Sequence, residues 1–302
     1  MKRKLLKKLI LLTTGCLLMS QAAHSEQLYF DTPEQAANRL VIALARADQA
    51  EMADILGSEY QSVLSVEGID RPMVDRFLNG WADYHVLVSS DDKTRILAVG
   101  FKGWTLPIPI VREVEGWRFD TATGQSMIKV RRIGRNELSA MQTALAYHDA
   151  QMEYAAEDHD GDGILEYAQR FISSPGKHDG LYWETAEGEP ESPTGALLAG
   201  HEPGKDYHGY YYRILTGQGV HAPGGAMSYL QGDSMVNGFA LIAWPAEYRD
   251  TGVMSFLLGR NGILYEADLG SNGAAFASAV PSYDPDARWS PVAAGFSQVV
   301  ED

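Results

Sequence analysis

The first part of the chain alternates between apolar and polar residues with the period of an α-helix. Thr32-Pro33-Glu34-Gln35 combines a threonine cap, a proline at the first helical position and a glutamine three residues after the cap, which marks a helix start. A second helix is predicted from Asp48 to Gly57, and a third after Asp70. The apolar positions expected to be buried in these helices are Ala37, Leu40, Val41, Leu44, Ala47, Met52, Ile55, Leu56, Met73, Val74, Phe77, Leu78 and Trp81.

After residue 83 the apolar pattern changes to the two-residue period of β-strands. Four segments rich in Val, Ile and aromatic residues predict strands at residues 84–88, 95–101, 104–114 and 116–120. Pro107 and Pro109 lack a backbone N–H, so we expect the third strand to lie at a sheet edge. Helices followed by consecutive strands predict a small α+β domain with an antiparallel sheet over residues 26–130.

The second part of the chain begins with a long helical pattern that Asn136 is predicted to cap. The apolar stripe of this helix is Leu138, Met141, Leu145, His148 and Met152, with Ala140 and Ala144 beside it. Short β runs follow at residues 239–244, 252–258 and 263–268, and Asn261-Gly262 predicts a hairpin between the last two. We therefore expect a C-terminal α+β domain, residues 131–302, in which a long helix packs on an antiparallel sheet with long loops.

The N-terminal 25 residues have the order of a secretory signal. A lysine- and arginine-rich start precedes a short apolar run, and Ala23-His24-Ser25 places small residues where a signal peptidase cuts. Residues 1–25 are therefore predicted to be a signal peptide, and the mature protein to be periplasmic or secreted without a membrane span. Cys16, the single cysteine, follows Gly15, but Thr13 stands where lipidation signals usually have leucine, so a lipid anchor is not predicted.

The charge of the chain restricts its partners. The formal net charge is -15, and removal of residues 1–25, which carry five basic and no acidic residues, would change it to -20. A strongly acidic protein is repelled by nucleic acid and by anionic lipid, so neither is predicted as a partner. The basic cluster of Lys129, Arg131, Arg132 and Arg135 is expected either to pair with acidic neighbours or to contact an acidic partner or the other domain.

An acidic, glycine-containing segment follows the long helix. Asp158, Asp160 and Asp162 alternate with His159 and Gly161, as the first, third and fifth ligands do in a calcium loop, and Glu166 takes the ninth position. The twelfth position holds Gln169 instead of the bidentate glutamate of a full EF-hand. The segment is therefore interpreted as a calcium site formed by Asp158, Asp160, Asp162 and Glu166, or alternatively as a polar turn that ends the helix.

A second group of residues offers weaker candidates for catalysis. His208 and His221 lie in a tyrosine- and glycine-rich stretch, and either could act as a general base with Asp206 or Asp233. The alternative is that aromatic residues fill a sheet face and each histidine holds a loop. No nucleophile elbow, zinc-protease motif, phosphate loop or dinucleotide fingerprint occurs in the sequence.

Many ordered motifs in the second half resemble one family. They include Arg132-Ile133-Gly134-Arg135-Asn136-Glu137-Leu138, Asp179-Gly180-Leu181-Tyr182-Trp183, Tyr207-His208-Gly209-Tyr210-Tyr211, Ala222-Pro223-Gly224-Gly225, Trp244-Pro245-Ala246 and Asp268-Leu269-Gly270. Together they resemble the secreted bacterial family of unknown function DUF2950 over nearly the whole mature chain, which implies export and no assigned activity. The long helix followed by an acidic loop and a sheet is also similar to the globular part of type IV pilins and pseudopilins. The chain departs from that pattern, because pilins begin with a processed hydrophobic helix, whereas here a soluble domain precedes the long helix.

These observations lead to two hypotheses about function. The first is a non-enzymatic binding or assembly module of the cell envelope, stabilised by calcium, with an envelope protein or a glycan as its partner. The alternative is a periplasmic hydrolase that acts on glycan or peptide through the histidines and a nearby carboxylate.

Overall fold

The computed structural model describes residues 27–57, 60–61, 71–185, 191–194 and 204–293. The chain divides into two compact units, Met1–Gln125 and Ser126–Asp302, called the first and the second unit below. The predicted signal peptide and Cys16 lie outside the described residues.

Three helices of the first unit form where the sequence predicts them. They are α1 (Pro33–Arg46), α2 (Gln49–Leu56) and α3 (Arg71–Asp83). Thr32 Oγ1 accepts a hydrogen bond from the N–H of Gln35, and Asp48 Oδ1 accepts one from the N–H of Glu51, so both predicted caps are confirmed. The apolar face of α3 is a correction, since Val74, Phe77, Leu78 and Trp81 are only half-buried and Met73 is exposed.

The first unit's strands form an antiparallel sheet against these helices. The strands are β1 (His85–Ser89), β2 (Thr94–Val99), β3 (Trp104–Thr105), β4 (Ile110–Arg112) and β5 (Trp117–Phe119), in the order β1-β2-β4-β5 with β3 also on β2. The prediction for the proline-containing strand was wrong. Pro107 and Pro109 divide that strand into β3 and β4, and β4 lies inside the sheet because the prolines fall between the two paired segments.

The long helix α4 (Thr121–Tyr154) starts fifteen residues before the predicted cap. Asp120 ends the preceding segment and accepts hydrogen bonds from the N–H and the hydroxyl of Thr123. Asn136 therefore lies inside the helix, where its side-chain amide donates to the carbonyl of Thr251. The basic residues before it are good helix formers, and Lys129 and Arg132 both pair with Asp250, which supports the structural interpretation of that cluster.

The buried face of α4 is rotated from the predicted stripe. Ala140, Ala144, Tyr147 and Gln151 are fully buried, whereas Met152 is exposed and Leu145 only partly buried. Alanine at two successive turns lets the helix backbone approach the sheet closely. The ring of Tyr147 fills the space at the next turn, where its hydroxyl donates to the carbonyl of Ala240 on the sheet. Two alanines and a tyrosine therefore face the sheet, and Leu145 and Met152 do not.

The second unit is built on a five-stranded antiparallel sheet with the order β14-β13-β12-β11-β6. Its strands are β6 (Tyr210–Leu215), β11 (Ala240–Pro245), β12 (Met254–Gly259), β13 (Leu264–Asp268) and β14 (Ser290–Pro291). Two shorter ladders join β7 (Gly217–Gln218) to β8 (Met227–Ser228) and β9 (Leu230–Gln231) to β10 (Ser234–Met235). The predicted hairpin at Asn261-Gly262 is confirmed, with Gly262 at φ 71°.

Both faces of this second sheet are covered. Tyr212 points to α4, where Thr143 contacts its hydroxyl, and the next residue, Arg213, points to the opposite face. There Arg213 donates to the carbonyls of Ala277 and Val280 at the end of the short helix α5 (Gly273–Ala279). Helices on antiparallel sheets in both units confirm the α+β class, and among the described residues no helix is long and apolar enough to cross a membrane.

Candidate functional site

The acidic loop, residues 158–166, leaves the end of α4 as a series of tight turns. Both carboxylate oxygens of Asp158 accept backbone hydrogen bonds, from Gly161 at 2.8 Å and from Gly163 at 2.9 Å. Asp160 and Asp162 each accept one from the residue two positions later. Gly161 and Gly163 have φ of 78° and 85°, which side chains disfavour, so the glycines allow the chain to curl around its own carboxylates.

The three aspartates are brought together by these turns. Each offers one carboxylate oxygen, and those oxygens lie within 4.8 Å of one another on an exposed surface. Oxygen ligands around one calcium ion, at about 2.3–2.6 Å from it, are separated by no more than about 5 Å. The amides of Gly163 and Gly161 lower the pKa of Asp158, so its carboxylate stays charged and available to a cation.

Glu166, the fourth predicted ligand, lies outside this group of three. Its Oε2 accepts a hydrogen bond from the N–H of Met235 at 3.2 Å on β10. Burial raises the pKa of Glu166, and the negative charges of Asp160 and Asp162 raise it further. The carboxylate of Glu166 is therefore close enough to the loop to interact electrostatically with its aspartates. Tyr167 N–H then donates to Met235 O at 2.8 Å, and the end of the acidic loop is therefore fixed to the β9–β10 hairpin.

His159 anchors the other end of the loop. Its ring stacks on Tyr154 with centroids 4.0 Å apart, and Nε2 lies 3.0 Å from the carbonyl of Tyr154 on the last turn of α4. Trp183 lies next to the same ring at 5.7 Å and stacks with His178 at 4.3 Å. Sequence reasoning missed this aromatic cluster, because Trp183 is separated from the loop by about twenty residues and no local pattern joins them.

His208 is held in a turn and is not paired with the predicted carboxylate. It has φ of 51° and is exposed, and its ring lies against Tyr207 at 4.2 Å. Asp206 Oδ2 instead accepts from the N–H of Gly209 at 3.1 Å. A Cβ at Gly209 would lie 2.7 Å from the Asn136 side chain, so the motif around it makes a close contact with α4.

His221 is paired with a carboxylate that the sequence analysis did not name. Its Nδ1 lies 3.0 Å from Asp284 Oδ2, and its backbone N–H donates to Asp284 Oδ1 at 2.7 Å. A Cβ at Gly219 would lie 2.3 Å from Asp284 Cγ, so only glycine there lets the carboxylate approach. Asp233 lies elsewhere, in the β9–β10 turn, where its carbonyl accepts from Gln169.

The two candidate histidines therefore lie at opposite ends of the segment that contains β6 and β7. A cavity of about 230 Å³ lies beside Asp284, lined also by Phe276, Arg288 and Trp289. This volume is below the usual range of about 300–1,000 Å³ for small-molecule sites. Arg288 donates to Asp286, and its guanidinium lies 4.4 Å from the centre of the Phe276 ring. Its positive charge is therefore already paired within the protein.

Comparison with known proteins places the chain in a family. The family model described as "Protein of unknown function (DUF2950)" matches residues 27–292, nearly the whole chain. No curated protein and no solved structure matches the chain.

Proposed function

The chain belongs to the family of proteins of unknown function DUF2950, so its function has to be inferred from its own residues. We propose that the protein is a non-enzymatic binding or assembly module of the cell envelope, and that its acidic loop binds calcium. The observation that carries the proposal is the convergence of one carboxylate oxygen each from Asp158, Asp160 and Asp162 within 4.8 Å. Three exposed negative charges at this separation repel one another, and a hard divalent cation removes that repulsion.

The position of the loop explains what calcium would do. Its first residues follow α4 and its last residues are hydrogen-bonded to β10, so a bound ion would stabilise the segment that connects the helix to that hairpin. Such an ion contributes to folding because it binds the folded loop and not the unfolded chain.

The predicted export of the protein agrees with this requirement. A site with three carboxylates and no bidentate glutamate at the twelfth position is expected to bind calcium weakly, and extracellular calcium modules work at about 0.1–1 mM. An exported protein meets such concentrations, whereas a cytosolic one does not. We propose the cell envelope as the location of the protein, and an envelope protein or a glycan as its partner.

The test is a thermal melt of the purified protein in calcium and in chelator. Calcium at ten times its dissociation constant stabilises the folded state by about 1.4 kcal/mol, which raises the melting temperature by about 3–6 °C. Asp160→Ala removes one of the three converging oxygens and should abolish the increase. Glu157→Gln changes the same charge one residue before the loop and should keep it, since Glu157 is outside the carboxylate group.

Direct calcium titration by calorimetry completes this test. We expect one site in the wild type and in Glu157→Gln, and none in Asp160→Ala. An identical melt of the wild type in calcium and chelator, together with no heat of binding, would refute the calcium site.

A glycan or peptide hydrolase is the second candidate, and one contact favours it. Asp284 holds Nδ1 of His221, which leaves Nε2 as a base. Hydrolysis of envelope glycan or peptide that is lost in His221→Asn but kept in His208→Asn would establish the hydrolase instead of the binding module.

A further inference from the structure

Strand β1 is the terminal strand of the first unit's sheet. Among the described residues it pairs only with β2, so its other edge has no partner there. Tyr84 O accepts from Gly100 N–H, and Ser90 N–H donates to Thr94 O. These two bonds show that the even-numbered residues of this strand are the ones hydrogen-bonded to β2. Since inward and outward backbone groups alternate in an antiparallel pair, the N–H and C=O of His85, Leu87 and Ser89 point away from β2.

The side chains of this edge do not protect it. Edge strands usually carry a charge, a proline or a bulge that prevents pairing with another strand, and residues 84–90 contain none of these, since the nearest acidic residues, Asp83 and Asp91, lie just outside the strand at its two ends. Val86 and Val88 are instead 38 % and 47 % exposed. Tyr84, stacked on Phe101 at 6.0 Å, extends the apolar surface at one end.

The sequence of β1 is self-complementary about Leu87. If a second copy runs antiparallel with Leu87 opposite Leu87, Val86 faces Val88 of the other copy on both sides of the axis. The residues whose backbone groups point away from β2 are then also opposite one another: His85 of each copy lies opposite Ser89 of the other, and Leu87 lies opposite Leu87. These three pairs are of the hydrogen-bonded type, with two bonds each, so the register satisfies every open backbone group of the strand at once.

The geometry points to self-association of this protein through β1, in which two copies join their first-unit sheets edge to edge across a two-fold axis. A two-fold axis requires a surface that is complementary to itself, and the Val-Leu-Val centre of β1 provides that surface without any charge. The occupant of the edge is therefore a second copy of the chain. This inference goes beyond calcium binding and does not depend on it, because β1 and the acidic loop belong to different units.

A charge exchange tests the register. The lysine variant carries Val86→Lys and Val88→Lys, and the glutamate variant carries Val86→Glu and Val88→Glu. In either variant alone, like charges face each other at both 86–88 pairs, and the dimer should weaken by about tenfold or more. In an equal mixture each lysine faces a glutamate, so the mixed dimer should form again.

The measurement is sedimentation equilibrium of the full protein at concentrations up to about 1 mM, since a short edge-to-edge ladder buries less than a standard interface. Val114→Lys is the matched control, because Val114 is 98 % exposed in the same unit and away from β1, and it should dimerise like the wild type. Circular dichroism and melting in chelator confirm that each variant is folded.

Amide exchange on the wild type gives a second measurement that needs no substitution. The amides of His85, Leu87 and Ser89 should exchange slowly at high protein concentration and rapidly after dilution. A wild type that is monomeric throughout, a dimer that survives in the lysine variant, or a mixture of variants that stays monomeric would each overturn the inference. If calcium still raises the melting temperature of variants that are monomeric, the calcium site is supported independently of the dimer.

Discussion

The sheets of the two units differ in what covers them. In the second unit every residue of β11 is buried, and so is nearly all of β12, because α4 packs on one face and α5 on the other. In the first unit the residues of β1 are exposed or half-buried, although Leu97, Ile110 and Phe119 on the helix-covered face are fully buried. The second sheet is therefore enclosed on both faces, whereas the first has a terminal strand, β1, whose outer edge pairs with no described residue.

Polar side chains that reach backbone groups distant in sequence hold both units. In the first unit, Gln27 Nε2 donates to the carbonyls of Ile55 and Phe119. The second unit has contacts of the same kind. Glu137 Oε1 accepts from the N–H groups of Val253 and Met254, and Gln151 binds both backbone groups of Ala168. The two units therefore share this kind of contact, and they differ in the outer edge of β1, whose backbone groups pair with no described residue.

The largest expected difference comes from truncating a leucine in the closed sheet. Leu258 on β12 is fully buried, so Leu258→Ala should destabilise the second unit by about 3–4 kcal/mol through lost burial and a cavity. Val88→Ala on β1 should cost less than about 1 kcal/mol, because the valine is 47 % exposed. Denaturant unfolding, read separately in each unit by hydrogen exchange, gives both values, and equal losses would contradict the comparison.

A smaller but more specific loss is expected at Gln151. Its side-chain amide donates to Ala168 O at 2.7 Å and accepts from Ala168 N–H at 2.8 Å, with full burial. Gln151→Ala leaves both backbone groups without partners, at about 1–3 kcal/mol each before relaxation, so we expect a loss of about 3 kcal/mol.

Gln142 provides the matched control for that change. It lies on the same helix and is exposed, so Gln142→Ala should alter the stability by no more than about 0.5 kcal/mol. A loss of similar size at both positions would contradict the role of the Gln151 hydrogen bonds, and helix propensity could not explain it, because alanine is a better helix former than glutamine.

Local patterns in the sequence were sufficient for much of this fold. The caps at Thr32 and Asp48, the hairpin at Asn261-Gly262 and the convergence of Asp158, Asp160 and Asp162 all depend on residues within a few positions of one another. Short-range hydrogen bonds and the conformational freedom of glycine determine such features, so they can be derived without the rest of the chain.

Contacts between distant residues account for what the sequence did not predict. Asn136 looks like a helix cap by itself, but Asp120 starts the helix earlier and Thr251 takes the asparagine amide. The carboxylate partner of His221 is Asp284, which is 63 residues away and reachable only because Gly219 leaves room for it. No pattern along the chain encodes these pairings, which the packing of the second sheet decides.

The smallest expected effect concerns the pH dependence of two glutamates, one in each unit. In the first unit, hydrogen bonds from Arg118 and Tyr29 lower the pKa of exposed Glu113. In the second unit, burial raises the pKa of Glu166. The two carboxylates should therefore affect the stability of their units with opposite sign.

The sign follows from which state of the protein binds the proton more tightly. Glu113 stabilises the folded state above the pKa it has in the unfolded chain, and this contribution is lost as the pH falls through its lowered folded pKa. Glu166 lowers stability as the pH rises from its unfolded pKa through its raised folded pKa. At neutral pH in calcium-free buffer, Glu113→Gln should therefore melt below the wild type and Glu166→Gln above it, with both differences shrinking in acid. Melting curves from acid to neutral pH measure both variants. Changes of the same sign in the two melting temperatures would mean that the carboxylate of Glu166 is as well solvated as that of Glu113. The second unit would then be more open to water around Glu166 than it is at its sheet.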